Sequence, residues 1–262
     1  MATQFGLRKI LMSISQKIRT AVVQTYIMAR HPEAIALKRK GISYEHYRDL
    51  KKQWILDLGI KTILDIGANK GQFARLAREV FADACIYSFE PLPDCFAELK
   101  TALPGDKNFF PFENAIGSKE ETLEFFRSFH TPSSSFLKME ELHREAFPES
   151  REGQSAEPTV VKVKTLDGVL GGETLEKNIL VKIDVQGYEM EAIEGARAIL
   201  GDAKIAILEM SFLKIYENQP LFHDVYEKMY NLGFRFRGSL AQMLHPATDE
   251  IVQTDAIFVR EN

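Results

Sequence analysis

Asp65, Gly67, Asn69 and Gly71 have the types and spacing of a ligand-binding turn. They lie at the end of the apolar run Thr62–Ile66, and a helical pattern follows them. Glycine lets a backbone turn tightly and approach a ligand closely, and the helix start offers free N–H groups. Asn69 stands where a dinucleotide fingerprint needs its second glycine, so that fingerprint is not met. The turn suits a ligand with a nucleoside part and an ammonium group, which Asp65 could bind; the alternative is a tight turn with a half-buried Asp.

A second acidic residue, Glu90, directly follows the next apolar run, Ile86–Phe89, and precedes Pro91. It lies 25 positions after Asp65. In nucleotide-binding α/β folds, an acid at the end of the second strand binds the hydroxyls of a ribose, and a carboxylate is a pure acceptor that suits a diol. Glu90 alone would be expected at the surface. Together with the glycine turn it predicts a ribose site.

From residue 61 onward, short apolar runs alternate with amphipathic helical patterns. Such runs are typical of strands that helices cover on both faces, and the alternation predicts an α/β fold with a doubly wound, mostly parallel sheet. Ligands bind at the carboxyl ends of strands in these sheets. The expected strands are Thr62–Ile66, Ile86–Phe89, Phe109–Phe112, Val160–Val163, Ile179–Val185 and Ile205–Leu208, and the expected helices are Tyr44–Leu58, Gly71–Phe81, Pro93–Leu103, Tyr188–Leu200 and Phe222–Leu232.

The composition is that of a globular protein: 262 residues, 45% hydrophobic and 27% charged. The net charge of −4 argues against a dedicated nucleic-acid binder, which usually carries a basic excess. No apolar run reaches the roughly 18–20 residues that span a bilayer. The two cysteines, Cys85 and Cys95, exclude a disulfide framework. We therefore expect a cytoplasmic protein without a nucleic-acid partner.

The N-terminal segment differs from the rest in charge. Residues 1–40 carry eight Lys and Arg against one acid, so this segment has a charge of +7 and the remainder −11. Apolar residues at helical spacing from Ile10 to Val22 predict a basic amphipathic helix. This helix could pack on the protein, contact an anionic membrane surface weakly, or mediate self-association. We expect a helical N-terminal extension over residues 1–59 and an α/β domain over residues 60–262.

Five motifs, in order along the chain, resemble those of the FkbM-type S-adenosylmethionine-dependent methyltransferases. The resemblance covers roughly residues 60–260. Most class I methyltransferases share the first two motifs, whereas the last two are more specific to FkbM-type proteins. Many members of that family have Glu at the position of Gln186. The motifs are Asp65–Gly71, Phe89–Pro91, Asn114–Gly117, Thr165–Asp167 and Lys182–Glu189.

The resemblance implies a Rossmann-like class I methyltransferase domain over residues 60–262, with a seven-stranded sheet whose last strand, near Asp255–Arg260, is antiparallel. It implies S-adenosyl-L-methionine as cofactor and an O-methyltransferase that moves a methyl group to a hydroxyl of a sugar or natural-product small molecule. The alternative is a non-catalytic protein that keeps the fold and binds the cofactor. The expected cofactor-binding residues are Asp65, Gly67, Asn69, Gly71, Glu90 and Pro91, with Asn114 and Ala115 bordering the adenine.

The run Ile179–Val185 leads into side chains that could act on the acceptor. An alcohol is a poor nucleophile while it is protonated, so a nearby base helps the transfer. Asp184 is the leading candidate for that base or for orienting the acceptor, and Lys182 lies on the same face; the alternative is a structural ion pair. Gln186 could exchange hydrogen bonds with a substrate hydroxyl. Glu189 could contact the substrate or cap a helix start.

Further candidates lie on other segments. Glu209, which ends the run Ile205–Leu208, could join the catalytic set by binding acceptor hydroxyls, or could be a solvated loop residue. Ser134 and Ser135 belong to a serine-rich segment that could close over the site and bind substrate, or could be a plain loop. His130 is a second candidate for the base. The spacing of the histidines matches no metal motif, so no metal is expected.

Overall fold

The computed structural model describes residues 22–23, 25–125, 159–245 and 248–261. The chain divides into two compact units, one up to Tyr47 and the other from Arg48 onward. The expected boundary at residues 59/60 stays a prediction. Within the described ranges, no helix combines the length and the apolar character that crossing a bilayer requires.

The described part of the N-terminal unit is mostly helical. Residues 25–30 form one helical segment, and helix α1 (Glu33–Arg39) follows it. His31 and Pro32 separate the two, since proline has no N–H to donate within a helix. Residues 1–21, which hold most of the predicted basic amphipathic helix, lie outside the described residues. Its contact with a membrane surface or with a second copy therefore stays a prediction.

The single helix predicted over Tyr44–Leu58 is wrong, because two short helices occupy this stretch: α2 (Tyr44–Leu50) and α3 (Gln53–Leu56). Lys52 has an extended backbone, with ψ of 139°, and its carbonyl oxygen accepts the N–H of Ile55, so a new helix begins after it. The amphipathic pattern does not reveal this break, since lysine is a good helix former.

Seven of the described strands form the central sheet. The strands in chain order are β1 (Thr62–Ile66), β2 (Cys85–Phe89), β3 (Phe109–Phe112), β4 (Ala115–Ile116), β5 (Glu121–Phe125), β6 (Thr159–Lys164), β7 (Ile179–Ile183), β8 (Ala203–Ser211), β9 (Phe234–Leu244) and β10 (Ile251–Arg260). The central sheet has the order β3-β2-β1-β7-β8-β10-β9. Its first five strands are parallel, and β10 is antiparallel to both neighbours. This confirms the predicted doubly wound, mostly parallel sheet with an antiparallel last strand.

The core lies along the middle strands. All residues of β1 and β7 are buried, which explains why both are continuous apolar runs in the sequence. Their side chains share one apolar cluster with residues of the helices that follow β7 and β8. The helices of this unit after α3 are α4 (Gln72–Val80), α5 (Pro93–Leu99), α6 (Leu166–Leu170), α7 (Glu189–Gly195), α8 (Arg197–Asp202) and α9 (Phe222–Asn231).

Two crossover helices differ from their predicted lengths. The stretch Tyr188–Leu200 holds α7 and α8, which divide at Ala196, because the carboxylate of Asp167 accepts backbone N–H groups of α8 and fixes a separate start. The predicted helix Pro93–Leu103 ends with α5. Beyond that point the N–H of Ala102 binds the carbonyl three residues earlier, a tighter turn than the α-helix allows.

A second sheet has three strands in the order β4-β6-β5. It contains the predicted strand Val160–Val163, which lies within β6, so placing this run in the central sheet is wrong. Val161 and Val163 are buried, whereas Val160 and Lys162 are exposed. This alternation is typical of a strand that is covered on one face only, and it distinguishes β6 from the fully buried β1 and β7.

Candidate functional site

The turn between β1 and α4 has the backbone shape that its glycines predict. Gly67 and Gly71 have φ of 82° and 79°, in the left-handed region that favours glycine, and Asn69 shares that region with φ of 48°. The N–H of Gly67 binds the carbonyl oxygen of Phe89 at 3.0 Å. The turn is therefore fastened to the end of β2, directly before Glu90.

Asp65 offers a buried carboxylate oxygen to a ligand. Its exposed fraction is 1%, and its Oδ2 accepts the hydroxyl of Ser88 at 3.3 Å. Oδ1 of Asp65 and Oδ1 of Asn69 are both buried without a hydrogen-bond partner among the described residues. Burial raises the pKa of Asp65 to about 6, and the positive charge of Lys182 opposes this rise. Unsatisfied buried acceptors are costly, so two of them in one turn fit a ligand that donates hydrogen bonds, such as an ammonium group.

Glu90 is buried and held by the backbone at both oxygens. Oε2 accepts the N–H of Asn69, and Oε1 accepts the N–H of Leu92, each at 2.9 Å. Burial raises the pKa of Glu90 to about 7, although these two N–H groups favour the charged form. Each oxygen keeps acceptor capacity for one more donor. The fixed carboxylate therefore fits a diol such as that of a ribose.

The remaining predicted cofactor residues lie at the neighbouring strand ends. The N–H of Glu90 binds the carbonyl oxygen of Phe112 at 3.0 Å, so β2 and β3 end side by side. Pro91 is half-buried after β2, Asn114 is half-buried between β3 and β4, and Ala115 is buried in β4. Their contact with an adenine ring stays a prediction.

The end of β7 brings the predicted acceptor side against the cofactor turn. The N–H of Asp184 binds the carbonyl oxygen of Ile66, at the end of β1, at 3.0 Å. Nζ of Lys182 lies 2.8 Å from Oδ2 of Asp184, so the ion pair expected as the alternative is present. Burial lowers the pKa of Lys182, but the carboxylates of Asp184, Asp255 and Asp65 raise it more, so this lysine is charged. The Lys182 side chain is 8% exposed and that of Asp184 30%, so only the carboxylate is open to solvent.

An amide joins Asp184 to a second carboxylate. Nε2 of Gln186 donates to Oδ1 of Asp184 at 2.9 Å and also to Oε2 of Glu209. Gln253, on β10, donates to the same oxygen of Glu209 at 3.0 Å. Burial and the negative charges of Asp184 and Asp255 raise the pKa of Glu209 well above its ordinary range. Glu209 is thus a half-buried strand residue beside Asp184, and the solvated-loop alternative does not hold.

Glu189 is the first residue of α7 and is buried. Its Oε1 accepts the N–H of Gly187 at 2.9 Å, and burial raises its pKa to about 7. It thus closes the turn that follows β7, and its role as a cap of the helix start stays a prediction. Contact with a substrate stays a prediction for this residue.

Ser134, Ser135 and His130 lie outside the described residues, so their roles stay predictions. Among the residues that are described, no three His, Cys, Asp or Glu side chains come together in a way that could hold a metal ion.

Three polar residues at these strand ends are not predicted from the sequence: Ser88, Gln253 and Tyr216. Gln253 could have been noticed because it lies just before the predicted last strand near Asp255–Arg260. Ser88 interrupts the apolar run of β2, which is also a signal. Tyr216 lies outside the regular helices and strands, and nothing in its sequence surroundings marks it.

The Thr-Leu-Asp motif has a structural role in this fold. The hydroxyl of Thr165 accepts the N–H of Gly168 at 3.0 Å and caps the start of α6. The two carboxylate oxygens of Asp167 accept the N–H groups of Ala198 and Ile199 at 2.8 and 3.0 Å. The motif therefore ties α6 to the start of α8.

Comparison with known proteins places these motifs in one family. The family model described as "Methyltransferase FkbM domain" matches residues 65–236. The 2-O-methyltransferase NoeI of Sinorhizobium fredii (strain NBRC 101917 / NGR234) is 28% identical over 160 residues, which are 60% of this chain and 66% of that protein. The methyltransferase sdnD of Sordaria araneosa is 30% identical over 157 residues, which are 51% of this chain and 59% of that protein. The chain thus spans less than two thirds of either relative.

A solved structure of Aeropyrum pernix fibrillarin, with natively bound S-adenosyl-L-methionine, is 11% identical; the match covers 76% of this chain and 66% of that one, with a TM-score of 0.44. S-adenosyl-L-methionine, which the motifs predict, is the cofactor of the matched family. Because the family match covers more than half of the sequence, the chain belongs to the FkbM methyltransferase domain family.

Proposed function

We propose that this protein transfers a methyl group from S-adenosyl-L-methionine to a hydroxyl of a sugar or natural-product small molecule. The observation that carries the proposal is the hydrogen bond from Asp184 to Ile66. It joins a turn with unsatisfied buried acceptors to a carboxylate that is open to solvent. The name of one relative, a 2-O-methyltransferase, supports oxygen as the methylated atom.

The cofactor would lie along the ends of β1 and β2. Oδ1 of Asp65 would accept a hydrogen bond from the ammonium group of the cofactor. The carboxylate of Glu90 would accept hydrogen bonds from both hydroxyls of its ribose. Gly67, Asn69 and Gly71 would let the backbone approach it, with Pro91, Asn114 and Ala115 at the adenine side. When bound, the cofactor supplies an electrophilic methyl group on a sulfonium.

Asp184 would accept the proton of the acceptor hydroxyl. Its two oxygens each receive one donor, from Lys182 and Gln186, and a carboxylate has further lone pairs for a hydroxyl. Glu209, beside it, would orient the same hydroxyl or its neighbour, and Ser134 and Ser135 would contact the rest of the acceptor.

A non-catalytic, cofactor-binding protein is the second candidate. The 2.8 Å ion pair between Lys182 and Asp184 favours it, because the pair engages one oxygen of Asp184 with a buried lysine instead of an acceptor hydroxyl. The 30% exposure of the Asp184 side chain favours catalysis, since an acceptor can still reach the carboxylate.

The test is formation of S-adenosylhomocysteine with a panel of methyl glycosides and natural-product alcohols, followed by mass spectrometry of the acceptor. We expect transfer to at least one hydroxyl by the wild type, and a loss of about 10²-fold or more in Asp184→Asn, the lower range for a general base. Glu227→Gln, on the exposed side of α9, is the matched control and should keep full activity. A folded, cofactor-binding protein that methylates no member of the panel would favour the non-catalytic candidate.

A further inference from the structure

A buried tyrosine lies behind the two carboxylates of the acceptor site. Tyr216 is fully buried, and its hydroxyl donates to Oε1 of Gln186 at 2.8 Å. Gln186 in turn donates through Nε2 to Asp184 and Glu209. One side-chain amide thus connects the tyrosine to both acids.

The chemistry of the partners fixes the orientation of this amide. The carboxylate of Asp184, which is paired with Lys182, only accepts hydrogen bonds, and Oε2 of Glu209 also accepts the amide of Gln253, so the N–H groups of Gln186 face these two oxygens. Its oxygen then faces Tyr216, whose phenol must donate. Burial raises the pKa of Tyr216 well above its ordinary range, so the phenol keeps its proton. A rotated amide would place its oxygen against the carboxylate of Asp184, which cannot donate.

The segment around Tyr216 is held in place by side-chain hydrogen bonds. Oε1 of Gln219 accepts the N–H groups of Ile215 and Tyr216 at 3.0 and 3.2 Å. Nε2 of Gln219 donates to the hydroxyl of Ser211, at the end of β8, at 2.7 Å. Ile215 and Tyr216 also pack with Val252 of β10. The phenol is therefore fixed relative to the strands that carry Glu209 and Gln253.

We infer that Tyr216 is a positioning residue of the acceptor site: its hydroxyl holds Gln186 in the orientation that keeps Asp184 and Glu209 side by side. The inference rests on the proposed function, in which these two carboxylates bind the reacting hydroxyl. The backbone of Gln186 has φ of 54°, a conformation that residues other than glycine rarely adopt. Contacts with the surrounding residues must hold such a conformation in place. The hydrogen bond from Tyr216 is one of these contacts.

The test is a pH titration of Glu209 in the full chain, monitored by NMR of ¹³C-labelled carboxyl carbons. The Glu209 signal is assigned by its loss in Glu209→Gln. In Tyr216→Phe, the amide loses its anchor and donates less well to Glu209, so the pKa of Glu209 rises by about one unit. Asp184, Asp255, Glu189 and Lys182 also act on this group and are unchanged in the variant. Tyr230→Phe, an exposed tyrosine of α9, is the matched control and leaves the titration as it is.

A double-variant comparison separates positioning from general packing. Gln186→Gly removes the amide and suits the backbone conformation there. Adding Tyr216→Phe to Gln186→Gly causes no further shift if the tyrosine acts through the amide. Additive shifts, or an unchanged titration in Tyr216→Phe, overturn the inference.

Activity gives the second readout, on whichever acceptor the panel identifies. Tyr216→Phe lowers kcat about tenfold, and the KM for S-adenosyl-L-methionine stays unchanged; an unchanged kcat overturns the positioning role. Failure of the wild type to methylate any acceptor contradicts the proposed function instead, and the titration still decides whether Tyr216 holds the amide.

Discussion

Gly67 and Asp184 approach so closely that a side chain at position 67 has no room. A Cβ added to Gly67 would lie 1.8 Å from the carbonyl oxygen of Asp184. Backbone cannot move aside as the end of a flexible side chain can. This contact sets the distance between the turn after β1 and the strand end that carries Asp184.

Gly67→Ala is therefore expected to destabilise the fold and to abolish cofactor binding. Gly105→Ala is the matched control, because Gly105 also has a positive φ, 77°, but meets no atom within 4 Å of an added Cβ. The control should lose only about 1–2 kcal/mol of stability, which is the cost of placing a residue other than glycine in the left-handed conformation. Urea unfolding and calorimetry with S-adenosyl-L-methionine measure both effects. Equal losses in the two variants would mean that the contact with Asp184 does not constrain the site.

Stability without cofactor is expected to fall as the pH rises from about 5 to 8. Burial raises the pKa of Asp65 from 3.8 to about 6, and those of Glu90 and Glu189 from 4.5 to about 7. Across this window the folded state binds more protons than the unfolded state, so the free energy of unfolding decreases with pH. Each carboxyl is expected to lower the free energy of unfolding by on the order of 3 kcal/mol as it loses its proton in the folded state.

Urea unfolding at several pH values checks this dependence. Asp65→Asn should flatten the curve near pH 6 and raise the stability of the cofactor-free protein at pH 8. If the free energy of unfolding instead rises steadily over the same window, burial does not raise the pKa values of these carboxyls.

The ion pair of Lys182 and Asp184 predicts a difference between single and double variants. Asp184→Asn leaves a charged lysine, whose side chain is 8% exposed, without its partner and should cost about 3 kcal/mol. Lys182→Met combined with Asp184→Asn should recover most of this stability, but not methyl transfer. Thermal unfolding and the methylation assay give the two readouts. Recovery of activity in the double variant would rule out Asp184 as the base.

Asp167→Ala is expected to destabilise the protein by about 2 kcal/mol, the upper range for a lost helix cap, because two N–H groups of α8 lose their acceptor. Thr165→Ala, which removes the single cap of α6, should cost less. Neither change should weaken the binding of S-adenosyl-L-methionine in calorimetry. A selective loss of binding in Asp167→Ala would assign the Thr-Leu-Asp motif to the cofactor site.

The sequence predicts the sheet and the positions of the strand-end acids because both follow from local patterns. Buried parallel strands are continuous apolar runs, so β1 and β7 are visible in the sequence. Acids that follow such runs, as Glu90 does, must lie at the ligand-binding edge. The pairing of Lys182 with Asp184 follows from their separation of two residues.

Contacts between distant segments are not visible in the same way. The bonds from Tyr216 to Gln186 and from Gln253 to Glu209 join residues that are 30 and 44 positions apart. They depend on how side chains meet across three strands and an irregular segment. The break between α7 and α8 has the same origin, since Asp167 caps α8 from a remote position.

Binding of S-adenosyl-L-methionine at the ends of β1 and β2 underlies the proposed function, and calorimetric titration measures it. The wild type and Glu227→Ala, an exposed control, should bind the cofactor and its demethylated product saturably. Glu90→Ala should lose about 10²-fold or more in affinity, as expected for two lost hydrogen bonds to a charged group. Glu90→Gln, which keeps one acceptor oxygen for the backbone, checks that the loss does not come from misfolding. Absence of binding by the folded wild type, or equal affinity in Glu90→Ala, would show that the cofactor does not bind at these strand ends.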